Sequence, residues 1–268
     1  MLHSPLTVSN TRNTRNPSGD LYTTGLGMRR FGARSLILSV LLGSDPPRLA
    51  VGALIEFCSL FDITAGTVRT ALSRLTASGE LAAHDGKYTL AGDLLGRRRQ
   101  QDIGRVAAAI EWDGSWWTAI ALAEARDINE RREFRSAMEG SKMGELRPTA
   151  WMRPTNVEGP PTRPELIVSR GDLPIHESHA LVSRLWDLDA LGRRSDHLRG
   201  ALDVDERDLA RRFIALAACL QFLRTEPQLP HALAPDRRAD ALRDRYRIEE
   251  ARFQRDLRLF LRVSTGAR

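Results

Sequence analysis

Among the residue groupings whose types and spacing could do chemistry, the most telling lies between Thr64 and Ala77. Val68, Ala71, Leu72 and Leu75 recur at i, i+3, i+4 and i+7, one apolar stripe if the segment is helical. Gly66, Thr70 and Ser73 then fall opposite that stripe, with Thr67, Arg69 and Arg74 flanking it. Small residues let a helix approach a partner closely. Hydroxyls donate or accept, and guanidinium groups pair with guanine edges or phosphate oxygens. This is chemistry suited to the major groove of duplex DNA. Thr64, Thr67, Arg69, Thr70, Ser73 and Arg74 are the residues expected to carry it, against the commoner explanation of a merely solvated helix face.

Other groupings are weaker. His176 and His179 stand at i, i+3 with Glu177 between them, but no Cys or further His cluster lies nearby, so no metal site is expected. His84 reads as a solvated residue beside a turn. Asp187 and Asp189 sit where a helix begins, a position that favours negative charge without any catalysis. Cys58 and Cys219 lie far apart inside apolar helical patterns and read as core residues in a reduced cytoplasm. Gly-rich phosphate loops, nucleophile elbows and zinc-deaminase patterns do not occur, so neither a catalytic residue nor a cofactor is expected.

The elements around Thr64–Ala77 give the groove chemistry its support. Residues 1–27 are polar and aperiodic and read as a tail, with folded structure expected from Met28. Arg34–Leu42 and Val51–Leu60 read as helices, the first ended by Gly43 and Pro46-Pro47. Thr64 is placed to cap the third helix and Gly79 to end it. Strands at Glu80–His84 and Lys87–Leu90 flank Asp85-Gly86, a strong hairpin signal. Three helices followed by a hairpin is the order of a winged helix-turn-helix. Charge agrees: the net is +6, and residues 1–110 hold 13 Lys+Arg against 8 Asp+Glu, while the remainder holds 27 against 26. Lys87 and the run Arg97, Arg98 and Arg99 are expected to add phosphate contacts. Further along, strand signals at Trp116–Leu122, Thr149–Met152 and Glu165–Val168 alternate with helical ones at Asp127–Gly140 and from Ile175, and the pattern from Leu185 is helical.

The run from Thr67 to Leu81 resembles the corresponding helix of the PaaX-type transcriptional regulators, the repressors of phenylacetate catabolism and their relatives. The likeness continues in order through Lys87-Tyr88-Thr89-Leu90, Gly96–Arg99, Trp112–Trp116, Leu146-Arg147-Pro148, Trp151–Pro154, Leu185–Leu188, and Glu226–Pro230 with Leu233-Ala234-Pro235. The family's wing is richer in basic and aromatic residues than the one here. The resemblance implies an α+β multidomain chain: a winged helix-turn-helix with its connecting helix (28–110), a ferredoxin-like middle domain (111–183) and a helical C-terminal domain (184–268). It implies a homodimer that represses an operon and leaves its DNA operator on meeting a small-molecule effector, in the best-known relatives an aryl-acyl-CoA thioester. All five tryptophans fall in or beside the middle segment. They are expected chiefly as core, the alternative being that Trp116 and Trp151 line an effector cavity while Arg147 or Arg153 meets a phosphate or carboxylate. Two other classes compete: a metal-dependent nuclease using a ferredoxin-like fold, and a DNA-binding protein without sequence preference.

Overall fold

The computed structural model describes residues 23–44, 46–92, 110–122, 127–160, 162–205, 207–236 and 238–266. The fold is α+β, with two antiparallel sheets. Among the described residues, no helix is long and apolar enough to cross a membrane.

The first sheet belongs to the N-terminal region. Helix α1 (Ala33–Gly43) buries Leu36, Ile37 and Leu41 and is followed by a short strand, β1 (Arg48–Ala50). Helix α2 (Val51–Ser59) buries Leu54, Phe57 and Cys58. A turn with Asp62 at φ 59° leads to Thr64, whose hydroxyl accepts from the Thr67 amide at 3.3 Å and caps α3 (Ala65–Ala77). Gly79, at φ 73°, supplies the left-handed residue that lets the chain leave α3. Strands β2 (Leu81–His84) and β3 (Lys87–Leu90) form the expected hairpin, and Asp85 and Gly86 both have positive φ (50° and 68°), as a type I′ turn requires. Strand β1, not foreseen from the sequence, pairs with the far edge of β3, setting Arg48 opposite Thr89.

The second sheet has the order β5-β6-β4-β7, built from β4 (Ser115–Ala121), β5 (Gly144–Arg147), β6 (Ala150–Pro154) and β7 (Leu166–Asp172). Helix α4 (Ile128–Gly140) joins β4 to β5, and Asp127 caps it by accepting from the amides of Asn129 and Glu130. Register assigns the faces. Ala119 lies opposite Trp151, and both cluster with Met138 of α4. Trp116 points the other way and packs with Val182 of α5 (Ile175–Leu185), donating its indole N–H to Ser178 Oγ at 3.0 Å.

Helices α6 (Leu188–Gly200), α7 (Leu209–Thr225) and α8 (Arg238–Gly266) complete the molecule, α6 and α7 capped by Asp187 and Asp208. They do not form a core of their own. Leu198, Phe213, Leu223, Phe253 and Leu257 share one apolar cluster with Leu36, Phe57 and Leu75 of the first three helices. Phe213 is the hinge pin of this cluster: its ring lies 5.4 Å from Phe31, 5.2 Å from Phe57, 5.5 Å from Phe61 and 6.2 Å from Phe253, centroid to centroid.

Candidate nucleic-acid interface and ligand cavities

The polar side of α3 is open. Val68, Leu72 and Leu75 are buried against α1 and α2, which turns Gly66, Thr67, Arg69, Thr70, Ser73 and Arg74 outward to solvent. Thr64 and Thr67 hydroxyls lie 2.9 Å apart, and Thr70 Oγ1 donates to the Gly66 carbonyl at 3.0 Å. Arg69 and Arg74 carry no ion pair among the described residues, so both guanidinium groups remain available to an external anion. At the end of α3, Glu80 is held by Arg34 and by Ser78. Lys87 is exposed at the start of β3, beside the type I′ turn, whose Gly86 carbonyl accepts from the Val51 amide at the start of α2. The hairpin is thus tied to the helix that precedes α3. This gives α3 and Lys87 a fixed relative position.

The middle of the chain holds buried polar groups. Arg153 is enclosed in the sheet, donating Nε to the Pro154 carbonyl and Nη1 to the Ser141 carbonyl, and burial pulls its guanidinium down to about 10. Lys142, with φ 59°, reaches the end of α7 and donates to the carbonyls of Leu223, Arg224 and Glu226 at 2.9, 3.2 and 2.8 Å. Burial pulls this amine down to about 7, while three carbonyl acceptors call for all three protons of the ammonium form. Arg243 of α8 pairs with Glu226 and with Asp240. Asp113 is held down at about 2, first by the hydrogen bond from the Ser115 side chain, and it also pairs with Arg170. Burial pushes the Cys58 and Cys219 thiols up to about 12, which leaves them protonated and unreactive.

Two cavities flank the last helix. One, of about 260 Å³, lies between α1, α7 and α8; Phe31, Phe213 and Phe253 form walls, and Arg224 is exposed among the lining residues. The other, of about 240 Å³, lies between the second sheet and the beginning of α8.

Residues 32–94 match the family model described as PaaX-like protein. Over that stretch the chain is similar to PaaX-like proteins. It is also similar to the solved structure of the uncharacterized protein Rv0674 from Mycobacterium tuberculosis, at 29% identity and a TM-score of 0.68, over 87% of this chain and 99% of that one. No curated protein matches. The matched stretch spans α1 to β3 and therefore the whole exposed α3 surface.

Thr64, Thr67, Arg69, Thr70, Ser73, Arg74 and Lys87 are all exposed on the N-terminal region. Arg97, Arg98 and Arg99 lie outside the described residues. The four residues expected at an effector cavity do not converge. Trp116 is on one face of the second sheet, Trp151 and Arg153 are on the other, and Arg147 is exposed at the end of β5. His176 and His179 are exposed on α5, and among the described residues no group of three or more potential metal ligands is gathered. Sequence reasoning passed over Lys142, Asn156 and Arg243. The available signal was that Lys142 is one of only two lysines in an Arg-rich chain.

Proposed function

We propose that this protein is a sequence-specific DNA-binding regulator whose α1–α3 and β2–β3 act as a winged helix-turn-helix, with α3 entering the major groove. The observation that carries this reading is the outward face of α3: small and hydroxyl residues edged by two arginines that carry no ion pair among the described residues, on a helix whose other side is locked into the core. The hairpin carries one lysine next to Asp85, so it serves as a minor phosphate contact and α3 supplies most of the grip. The strand order β5-β6-β4-β7, with β4 and β5 parallel on either side of β6, supports a ferredoxin-like reading of 111–183, and α6–α8 make the helical C-terminal part.

In this reading the working form is a homodimer that represses and is released by a small metabolite. Ile120 and Ile167, cross-strand partners left exposed on one face of the second sheet, supply an apolar surface for a second copy. The 260 Å³ cleft, aromatic-walled with Arg224 among its lining residues, suits the acyl or aryl part of an anionic effector and touches α1 directly. The test is to map bound sites on the protein's own genome and footprint the strongest of them. Protection of a two-fold-related pair of half-sites about one helical turn apart is expected. Equal binding to specific and shuffled duplex would overturn the reading.

A further inference from the structure

The 240 Å³ cavity between the second sheet and α8 is lined by Glu111, Trp112, Asn156, Leu229, Asp240 and Arg243, with others. Asn156 and Arg243 are only 2% and 3% exposed. Each brings one polar atom without a hydrogen-bond partner among the described residues: Oδ1 of Asn156 and Nε of Arg243. The other ends of both side chains are committed. Asn156 Nδ2 donates to the Gln228 carbonyl at 2.6 Å, which sets the amide's orientation, because the reverse would bring two acceptors together. Arg243 donates Nη1 to Asp240 and Nη2 to Glu226. One donor and one acceptor, both buried and both on residues lining a single cavity, are left without protein partners. Buried polar groups are otherwise almost always satisfied.

We infer that this cavity binds a small neutral molecule bearing a carboxamide, whose carbonyl accepts from Arg243 Nε and whose N–H donates to Asn156 Oδ1. Three features restrict the ligand. The volume lies below the ~300–1,000 Å³ of pockets for drug-sized molecules, so a coenzyme thioester is too large. The guanidinium of Arg243 is already neutralised by Glu226 and Asp240, and Glu111 adds a further carboxylate, so an anion entering here meets no spare positive charge. Trp112 and Leu229 offer apolar walls for a flat or short hydrocarbon body. The site differs in place and chemistry from the aromatic cleft beside α1. The helix that carries Arg243 near one end, α8, packs on α2 further along.

The test uses the full chain without DNA, titrated with benzamide and nicotinamide and, in parallel, with benzoate and nicotinate. Tryptophan fluorescence reports Trp112, and thermal denaturation reports binding to the folded state. The amides are expected to bind saturably, with the carboxylates at least tenfold weaker. Asn156→Ala, which removes the acceptor, and Leu229→Trp, which fills the cavity without touching either polar group, should each weaken amide binding at least tenfold while retaining the native circular dichroism. Absence of saturable amide binding, equal affinity for benzoate, or unchanged binding in Leu229→Trp would overturn the assignment. So would a crystal soaked in benzamide whose cavity keeps ordered water bridging Asn156 and Arg243 in its place.

Discussion

Replacing Arg74 with alanine removes a guanidinium from the last turn of α3 and takes almost nothing from the fold. The side chain is exposed and carries no ion pair among the described residues, and its one structural contribution is a cation near a helix C-terminus, about 0.3–1 kcal/mol. Alanine is the stronger helix former, which offsets part of that loss. Stability should therefore move by less than about 1 kcal/mol. Binding should move much further. A guanidinium paired with a guanine edge contributes ~1–3 kcal/mol of discrimination, and a two-fold dimer loses it twice, ~2–6 kcal/mol in all. If the contact is to phosphate instead, the slope of log affinity against log salt should fall in magnitude by ~0.9 per protomer, ~1.8 for the dimer. Fluorescence anisotropy of a labelled duplex carrying the strongest mapped site and a shuffled duplex, from about 50 to 200 mM salt, separates the two cases. A base contact narrows the gap between the duplexes, and a phosphate contact lowers both curves together. A folded Arg74→Ala protein with wild-type affinity, preference and salt slope would refute the reasoning.

Phe213→Ala should cost about 3–5 kcal/mol, because one ring supports both the first three helices and the last. Far-UV circular dichroism should still show a single unfolding transition, and separate transitions for the two helical groups would contradict a shared core. Gly144→Ala would place a Cβ 2.7 Å from Trp186 Cζ2 and 2.9 Å from Leu185 Cβ, so it should destabilise by about 1–3 kcal/mol in denaturant melts followed by tryptophan fluorescence, and an unchanged midpoint would remove the constraint. Asp113, lowered from 3.8 to about 2, contributes stability that is complete above its unfolded pKa and lost as pH falls through about 2. The denaturation midpoint of the wild type should therefore fall between pH 4 and 2 more steeply than that of Asp113→Asn; parallel curves would show that the Ser115 and Arg170 contacts do not select the carboxylate.

The features legible in the sequence are those built from local hydrogen bonds and period. The Thr64 cap, the Gly79 exit and the Asp85-Gly86 turn each depend on two to four consecutive residues, and the α3 stripe needs only a 3.6-residue repeat. Strand β1 has three residues behind two prolines, too few for alternation to show; pairing with β3 makes it a strand. Strand β5 begins at Gly144 and shifts register between Glu145 and Arg147, which hides its alternation. The tryptophans illustrate a different limit. Their burial follows from hydrophobicity, but the separation of Trp116 from Trp151 and Arg153 depends on the registers of β4 and β6, and a single residue of slip would exchange their faces. Lys142 looks like a surface cation until the end of α7 closes over it, and Arg243 until α8 brings it to Glu226.

The shared core also has a consequence for how the protein is made. Phe57 and Leu75 reach their final surroundings only when Phe253 and Leu257 of α8 are present. At a ribosomal rate of ~5–20 residues per second, the last of these side chains leaves the peptidyl-transferase centre roughly 8–33 s after the matched N-terminal stretch. Through that interval the region bearing α3 lacks part of its apolar floor, so a chaperone has a defined surface to hold. A message broken before α8 yields a product whose α3 stands on an unfinished base. Completion of translation thereby becomes a condition for the full core beneath the α3 region, and a prematurely terminated copy leaves phenylalanines of that core uncovered.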